Sequence, residues 1–217
     1  MEAPRDRKLF SMADYEVFRK LVGAPWTGLS FHSAPRSIEE TPSACARLCE
    51  AVGRSFHGAM TIDTTMLECP GGMRALGIPI DDEYMACEMA GRFRMPIEHA
   101  RHIIQATSRL ERPPRFISMG LIEQPDVLVS YLPPESAMKL LRRWQQFFGR
   151  RLETDLSAST AVCAAAAEAH VATKMAFSFG CPDSRDYGGI EDHQLITATS
   201  RYVAARLVQG TADDALP

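Results

Sequence analysis

Six cysteines punctuate this 217-residue chain, and four of them fall into two matching frames. In the first frame Cys45-Ala46 precedes Glu50-Ala51, then an apolar stretch, then Cys69-Pro70 with Gly71 and Gly72. In the second, Cys163-Ala164 precedes Glu168-Ala169, then an apolar stretch, then Cys181-Pro182 with Gly188 and Gly189 downstream. The step from Cys-Ala to Glu-Ala is the same in both. A thiol on a helix followed by a thiol at the end of the next strand, made twice, is how a duplicated fold brings four sulfurs together. Four thiolates can hold a [4Fe–4S] cluster, a [2Fe–2S] cluster or a structural zinc. Zinc ribbons and knuckles take ligands in pairs a few residues apart, whereas these cysteines are scattered over separate elements. The spacing favours a [4Fe–4S] cluster held by Cys45, Cys69, Cys163 and Cys181, with [2Fe–2S] or zinc as alternatives. Cys49 sits one turn after Cys45 on the same helix face, so either can look inward. Cys87 stands outside both frames.

Two other chemistries compete. A thiol enzyme could use Cys181 or Cys69 as nucleophile, because Asp183, Arg185 and Asp186 follow Cys181 and a nearby guanidinium favours the thiolate. Arg185 could also grip a small anionic substrate by a bidentate contact, and His57 could carry a proton. The same residues equally describe a surface Asp–Arg loop pair and a hydrogen-bonded core histidine. The third chemistry is a non-catalytic assembly protein with a structural zinc. Any single cysteine is also a good buried small hydrophobe. His99 and His102 lie at i, i+3 on one helix without an acidic partner, which describes a solvated face. His170 ends an alanine-rich helix, where a cation suits the dipole. The eleven methionines fit irregular core packing. No dinucleotide-binding fingerprint, P-loop lysine or nucleophile-elbow serine stands in a suitable strand–turn–helix context.

With 24 basic and 27 acidic residues the charges nearly cancel, so neither nucleic acid nor an anionic membrane is an expected partner. No run approaches the roughly 18 apolar residues of a spanning helix, and residues 1–10 are charged rather than signal-like. The expected setting is cytoplasmic, where thiols stay reduced and a recurring cysteine pattern means metal or catalysis rather than disulfides. A redox partner protein or a small anionic substrate is the partner class this chemistry implies.

These thiols need elements to hold them. Tyr15, Phe18, Leu21 and Val22 at helical spacing before Gly23 predict a first helix, and residues 27–32 a strand. Thr41-Pro42 reads as cap and first helical residue of a helix stopping at Gly53, followed by a strand over residues 55–63. Cys69-Pro70-Gly71-Gly72 reads as a turn, residues 81–90 as a helix holding Cys87, and Pro96 to Leu110 as another helix. Strands follow at 116–122 and 126–132, then a helix from Pro134 to Gly149. A short strand at 152–156, an alanine-rich helix at 160–170, strands at 171–179 and 194–199, and a helix at 202–208 lead to a polar tail, 210–217. The alternation predicts an α/β or α+β class: two similar half-domains, 1–112 and 113–209, sharing one mixed sheet with helices on its faces, in a single domain of 46% hydrophobic composition.

Several segments together carry a resemblance. They are Cys69-Pro70-Gly71-Gly72 with Leu76-Gly77, Gln124-Pro125-Asp126-Val127-Leu128-Val129, Pro134 with Ala137-Met138, and Gly180-Cys181 with Ser184-Arg185. In this order they resemble domain-of-unknown-function family 169, uncharacterised bacterial and archaeal proteins of about this length. The resemblance implies that Cys45, Cys69, Cys163 and Cys181 are the recurrent thiols, and that Cys49 and Cys87 are additions of this chain. It implies no reaction. The chain departs from the family pattern at Trp26-Thr27-Gly28, where a more apolar strand is usual.

Overall fold

Burial on alternate faces of six strands organises the molecule. The computed structural model describes residues 10–34, 42–154 and 161–213. Its elements run α1 (Met12–Val22), β1 (Thr27–His32), α2 (Leu48–Ser55), β2 (Met60–Asp63), α3 (Pro70–Ala75), α4 (Asp82–Phe93), α5 (Ile97–Ala106), β3 (Phe116–Gly120), β4 (Val127–Leu132), α6 (Pro134–Phe148), α7 (Val162–Val171), β5 (Met175–Ser178), α8 (Pro182–Asp186), β6 (Leu195–Ser200) and α9 (Arg201–Asp213). The strands form one sheet in the order β2-β3-β1-β4-β6-β5.

Helices cover both faces. Leu29, Ile62, Ile117, Val129 and Ile196 pack with α2 and α7 on one face. Leu128, Leu132 and Phe177 pack with Phe18 of α1, Leu140 and Trp144 of α6 and Leu207 of α9 on the other. Helix α7 is buried almost all round, and its run Ala164–Ala167 lets it lie close to the sheet and to its neighbours. The α/β expectation holds, with one correction. Every ladder is antiparallel rather than mixed, the parallel contact being an isolated bridge between Ser43 and Ile62. The reason is topological: β1 and β2 run parallel, but β3 lies between them, and β6 likewise separates β4 from β5, as in split βαβ units.

Read from either edge, the sheet repeats itself. β1, β2 and β3 occupy the places that β4, β5 and β6 occupy in the other triplet. At the centre Thr27 pairs with Val129, Gly28 with Leu128 and Leu29 with Val127, so exchanging β1 and β4 maps the ladder onto itself. Helix α2 then corresponds to α7, and α3 to α8. The triplets divide between Gly120 and Val127, so β3 falls with the first triplet rather than beyond a break after Arg112. Helices α4 and α5 have no counterpart, because α8 leads to β6 without a helix between.

The segment before α2 also differs from its sequence reading. Thr41 lies outside the described residues, and residues 42–47 are not helical. The Ser43 amide donates to the Thr61 carbonyl at 2.7 Å, which draws this stretch along β2 and delays the helix until Leu48. Cys69-Pro70 opens α3 instead of forming a free turn. No strand forms over residues 151–154, although Thr154 Oγ1 accepts the Phe177 amide at 3.2 Å, and residues 155–156 lie outside the described set. Residues 210–213 continue α9 rather than a polar tail, and 214–217 lie outside the described residues.

Helix α2 meets the residues after α8 backbone on backbone. A Cβ at Gly53 of α2 would stand 2.4 Å from the Gly188 carbonyl oxygen, just beyond α8. A Cβ at Gly188 would stand 2.5 Å from the Ser184 oxygen and 3.2 Å from that of Cys49. Gly53→Ala is expected to lower the unfolding free energy by about 1–3 kcal/mol through overpacking. Gly58→Ala, where nothing lies within 4 Å, should change it by less than about 0.5 kcal/mol. Urea unfolding of both variants checks the pair.

Candidate metal centre

Four short stretches of chain bring their helix beginnings to one place. Cys49 is the second residue of α2 and Cys163 the second residue of α7. Cys69 and Cys181 are the residues before α3 and α8, each followed by proline in the first turn, where its missing N–H is not needed. All four line a single cavity of about 70 Å³, enough for a group of several heavy atoms. Leu48, Ala75, Met85, Met89 and Ile104 are among its apolar lining residues.

Specific contacts hold these first turns. The Ala46 carbonyl accepts the amides of Glu68 at 2.9 Å and Cys69 at 3.2 Å, tying the Cys69 loop to the segment that leads into α2. Across the other side, Cys49 Sγ lies 3.8 Å from the Asp183 carbonyl oxygen, and the Arg47 guanidinium lies 4.1 Å from the Tyr187 ring centre. Thr27 Oγ1 and Ser55 Oγ share a 2.7 Å hydrogen bond that pins the end of α2 to β1. Helices α4 and α5 form a hairpin with its own small core of Met85, Ala86, Ala100 and Ile104, and close the cavity from above. Buried Arg74 anchors it through Asp82 at 2.9 Å and the Thr107 carbonyl at 3.1 Å, and Arg92 reaches Asp183 at 2.7 Å.

Three of the sites expected from sequence meet here: Cys69, Cys163 and Cys181. Cys45 does not. It lies before α2 with its thiol donating to the Arg47 carbonyl at 3.1 Å, and Cys49 occupies the cavity wall in its stead. The physical reason is the late start of α2, which puts Cys49 at the helix position that Cys163 holds in α7. The Cys45–Cys163 frame is thus one turn out of phase with the fold, and Cys49 replaces Cys45 in the candidate set. An apolar residue followed by cysteine in a helix's first turn, Leu48-Cys49 and Val162-Cys163, was the signal that the Cys-Ala match hid. Cys87 is exposed on α4.

The other candidates are elsewhere. Arg185 donates to the carbonyls of Phe179 at 2.8 Å and Glu191 at 2.9 Å, closing its own loop. His57 is exposed in the turn after α2, and His99 and His102 are exposed on α5. His170 is exposed too, with its ring 5.2 Å from that of Phe31.

Electrostatics couples the four sulfurs. Burial pushes the Cys49 thiol up to about 12, and negative charge at Cys181 or Cys69 adds to the rise. Burial also raises Cys163 well above the ordinary thiol range, followed by repulsion from Cys69, Cys181 and Cys49. Cys69 is raised by burial and by Cys181, while the Gly72 and Gly71 amides pull the other way. Such thiols are poor nucleophiles at neutral pH. A bound cation would neutralise their mutual repulsion and expel their protons. No three or more His, Cys, Asp or Glu side chains among the described residues are grouped tightly enough for one metal ion. Tetrahedral zinc would require sulfurs about 3.8 Å apart, from a metal–sulfur distance of about 2.3 Å.

The raised thiols fix a sign for stability. In the unfolded chain they ionise near about pH 8.5, while Cys49 and Cys163 stay protonated in the folded protein. Stability is therefore full below about pH 8.5 and is lost as pH rises towards the folded values. Metal-free protein in reductant should lose about 1–2 kcal/mol per such thiol between about pH 8.5 and 10, and Cys163→Ala should flatten the slope. Urea midpoints across that range measure it.

No helix among the described residues is long and apolar enough to cross a membrane. No curated protein matches the chain, and no solved structure matches it. One family model does match, described as uncharacterised ArCR, over residues 27–210, from β1 through most of α9 and across all four cavity cysteines. The chain belongs to domain-of-unknown-function family 169.

Proposed function

We propose that the protein binds an iron–sulfur cluster, [4Fe–4S] in preference to [2Fe–2S], through Cys49, Cys69, Cys163 and Cys181, and serves a redox or accessory role. The observation that carries this reading is the shared cavity: four thiols from four separate helix beginnings, on residues spread from 49 to 181, line one space. Thiolates are the usual ligands of such clusters. A multi-atom cluster spaces its ligands more widely than one ion does, and four thiols from separate elements line this cavity. The first-turn amides at Gly71 and Gly72 favour negative charge on Cys69. When bound, the cluster would supply one-electron transfer.

The same reading takes the two strand triplets as duplicated halves, each contributing one helix thiol and one Cys-Pro thiol. Cys69 and Cys181 are only partly buried, so their side of the cavity is where a redox partner protein or a small anionic substrate would approach. A reducing, cytoplasmic compartment is the setting in which such thiols persist.

Anaerobic reconstitution with ferrous iron and sulfide tests the proposal. It should give about four irons and four labile sulfides per chain with broad visible absorption. Serine at position 49, 69, 163 or 181 should abolish or sharply reduce loading, whereas Cys45→Ser and Cys87→Ser should load like the wild type. One zinc per chain without labile sulfide, or loading that follows Cys45 and ignores Cys49, would overturn it.

A further inference from the structure

The α4–α5 hairpin roofs the thiols while keeping a core of its own. Met85, Ala86, Ala100 and Ile104 form its buried centre, and the partly buried hydrophobic side chains packed against that centre come from residues 80–97. Met85, Met89 and Ile104 also line the cavity. A segment that carries its own centre can swing as a body while the sheet stays folded.

Two unequal attachments hold it. At the base its legs meet: Gly77, at φ +74°, comes so close to Leu110 that a Cβ would stand 2.3 Å from the Leu110 carbonyl oxygen, and the Leu110 amide donates to the Ala75 carbonyl at 2.9 Å. Buried Arg74 braces this neck by donating to Asp82 at the start of α4 and to the Thr107 carbonyl just after α5. At the far end, Arg92 in the last turn of α4 donates at 2.7 Å to Asp183, two residues after Cys181. That pair stands in water, with the Arg92 side chain 48% exposed. Such a pair shifts an equilibrium by about fivefold at most and is screened by salt. The base is thus buried and backbone-bonded, and the tip is tied by a weak electrostatic contact.

We propose that α4–α5 is a hinged lid that turns about the Gly77–Leu110 neck, with Arg92–Asp183 as the latch that holds it closed over the thiols. Release of the latch opens the side of the cavity next to Cys181 and admits a small molecule to Cys49 and Cys163, both buried while the lid is down. The device goes beyond the cluster reading and works the same way whichever group the thiols receive.

Alkylation of the reduced, metal-free full-length chain by iodoacetamide, followed site by site by mass spectrometry, tests the lid. Arg92→Glu, which sets two like charges against each other, should speed modification of Cys49 and Cys163 about tenfold, and Arg92→Ala about two- to fivefold. Loss of a cation beside the thiols disfavours the thiolate, so a faster reaction reports access and not reactivity. The reversed pair, Arg92→Glu with Asp183→Arg, should bring the rate back to that of the wild type. Salt at about 1 M should speed the wild type and change Arg92→Ala little. Arg101→Ala, which breaks the exposed pair with Glu83 inside the hairpin, should be neutral. Hydrogen exchange in Arg92→Glu should quicken over residues 82–106 and not over the strands. Wild-type alkylation rates in Arg92→Glu, a reversed pair as fast as Arg92→Glu, or faster exchange that spreads to the sheet or stays within α8 would overturn the lid. None of these results bears on whether the thiols take up iron and sulfide.

Discussion

The cavity depends on how closely two backbones approach. Helix α2 meets the end of α8 where Gly53 faces Gly188, and no side chain stands between them. That contact lets the first turn of α2 carry Cys49 to within reach of the Asp183 carbonyl, beside the loop that presents Cys181. A helix spacing set by ordinary side chains, about 8–10 Å between axes, would pull the Cys49 wall away from the Cys181 wall. The two triplets would then each keep a pair of thiols with nothing opposite.

Around that contact the molecule uses one plan twice and then departs from it. Both triplets place a thiol in the first turn of a helix packed on the sheet and a second thiol before a short proline-led helix. One departure is α6, which stands between β4 and α7 in the chain and packs on the far face of the sheet, and another lies over the cavity. The α4–α5 hairpin exists in the first triplet alone, and its Met85, Met89 and Ile104 give the cavity an apolar roof. The roof is fixed at its base by Arg74 and at its outer edge by the Arg92–Asp183 pair, so it joins one triplet to the other.

Much of this was legible from local pattern. The near-continuous apolar run at 127–132 marks a central strand, and the proline and glycine around α6 set its ends. Cys69, Cys163 and Cys181 were recognisable because each sits next to a signal that fixes its place, a Cys-Pro step or an alanine-rich helix. Cys49 was not, because the phase of α2 is decided by a tertiary contact. Ser43 pairs with β2, and the helix start that Pro42 announces moves six residues on. Strand direction was equally hidden, since β3 inserts between β1 and β2 from more than fifty residues away.

The distance in sequence between the two walls also governs when the site comes into being. Cys49 and Asp183, which meet across it, are separated by 134 positions. During vectorial synthesis the early thiols leave the ribosome long before their opposite wall exists, and pairings of such long range are the slow ones to form. A zinc finger folds around its metal. Here the sheet must first close from β2 to β5, so the cavity forms only after the architecture around it.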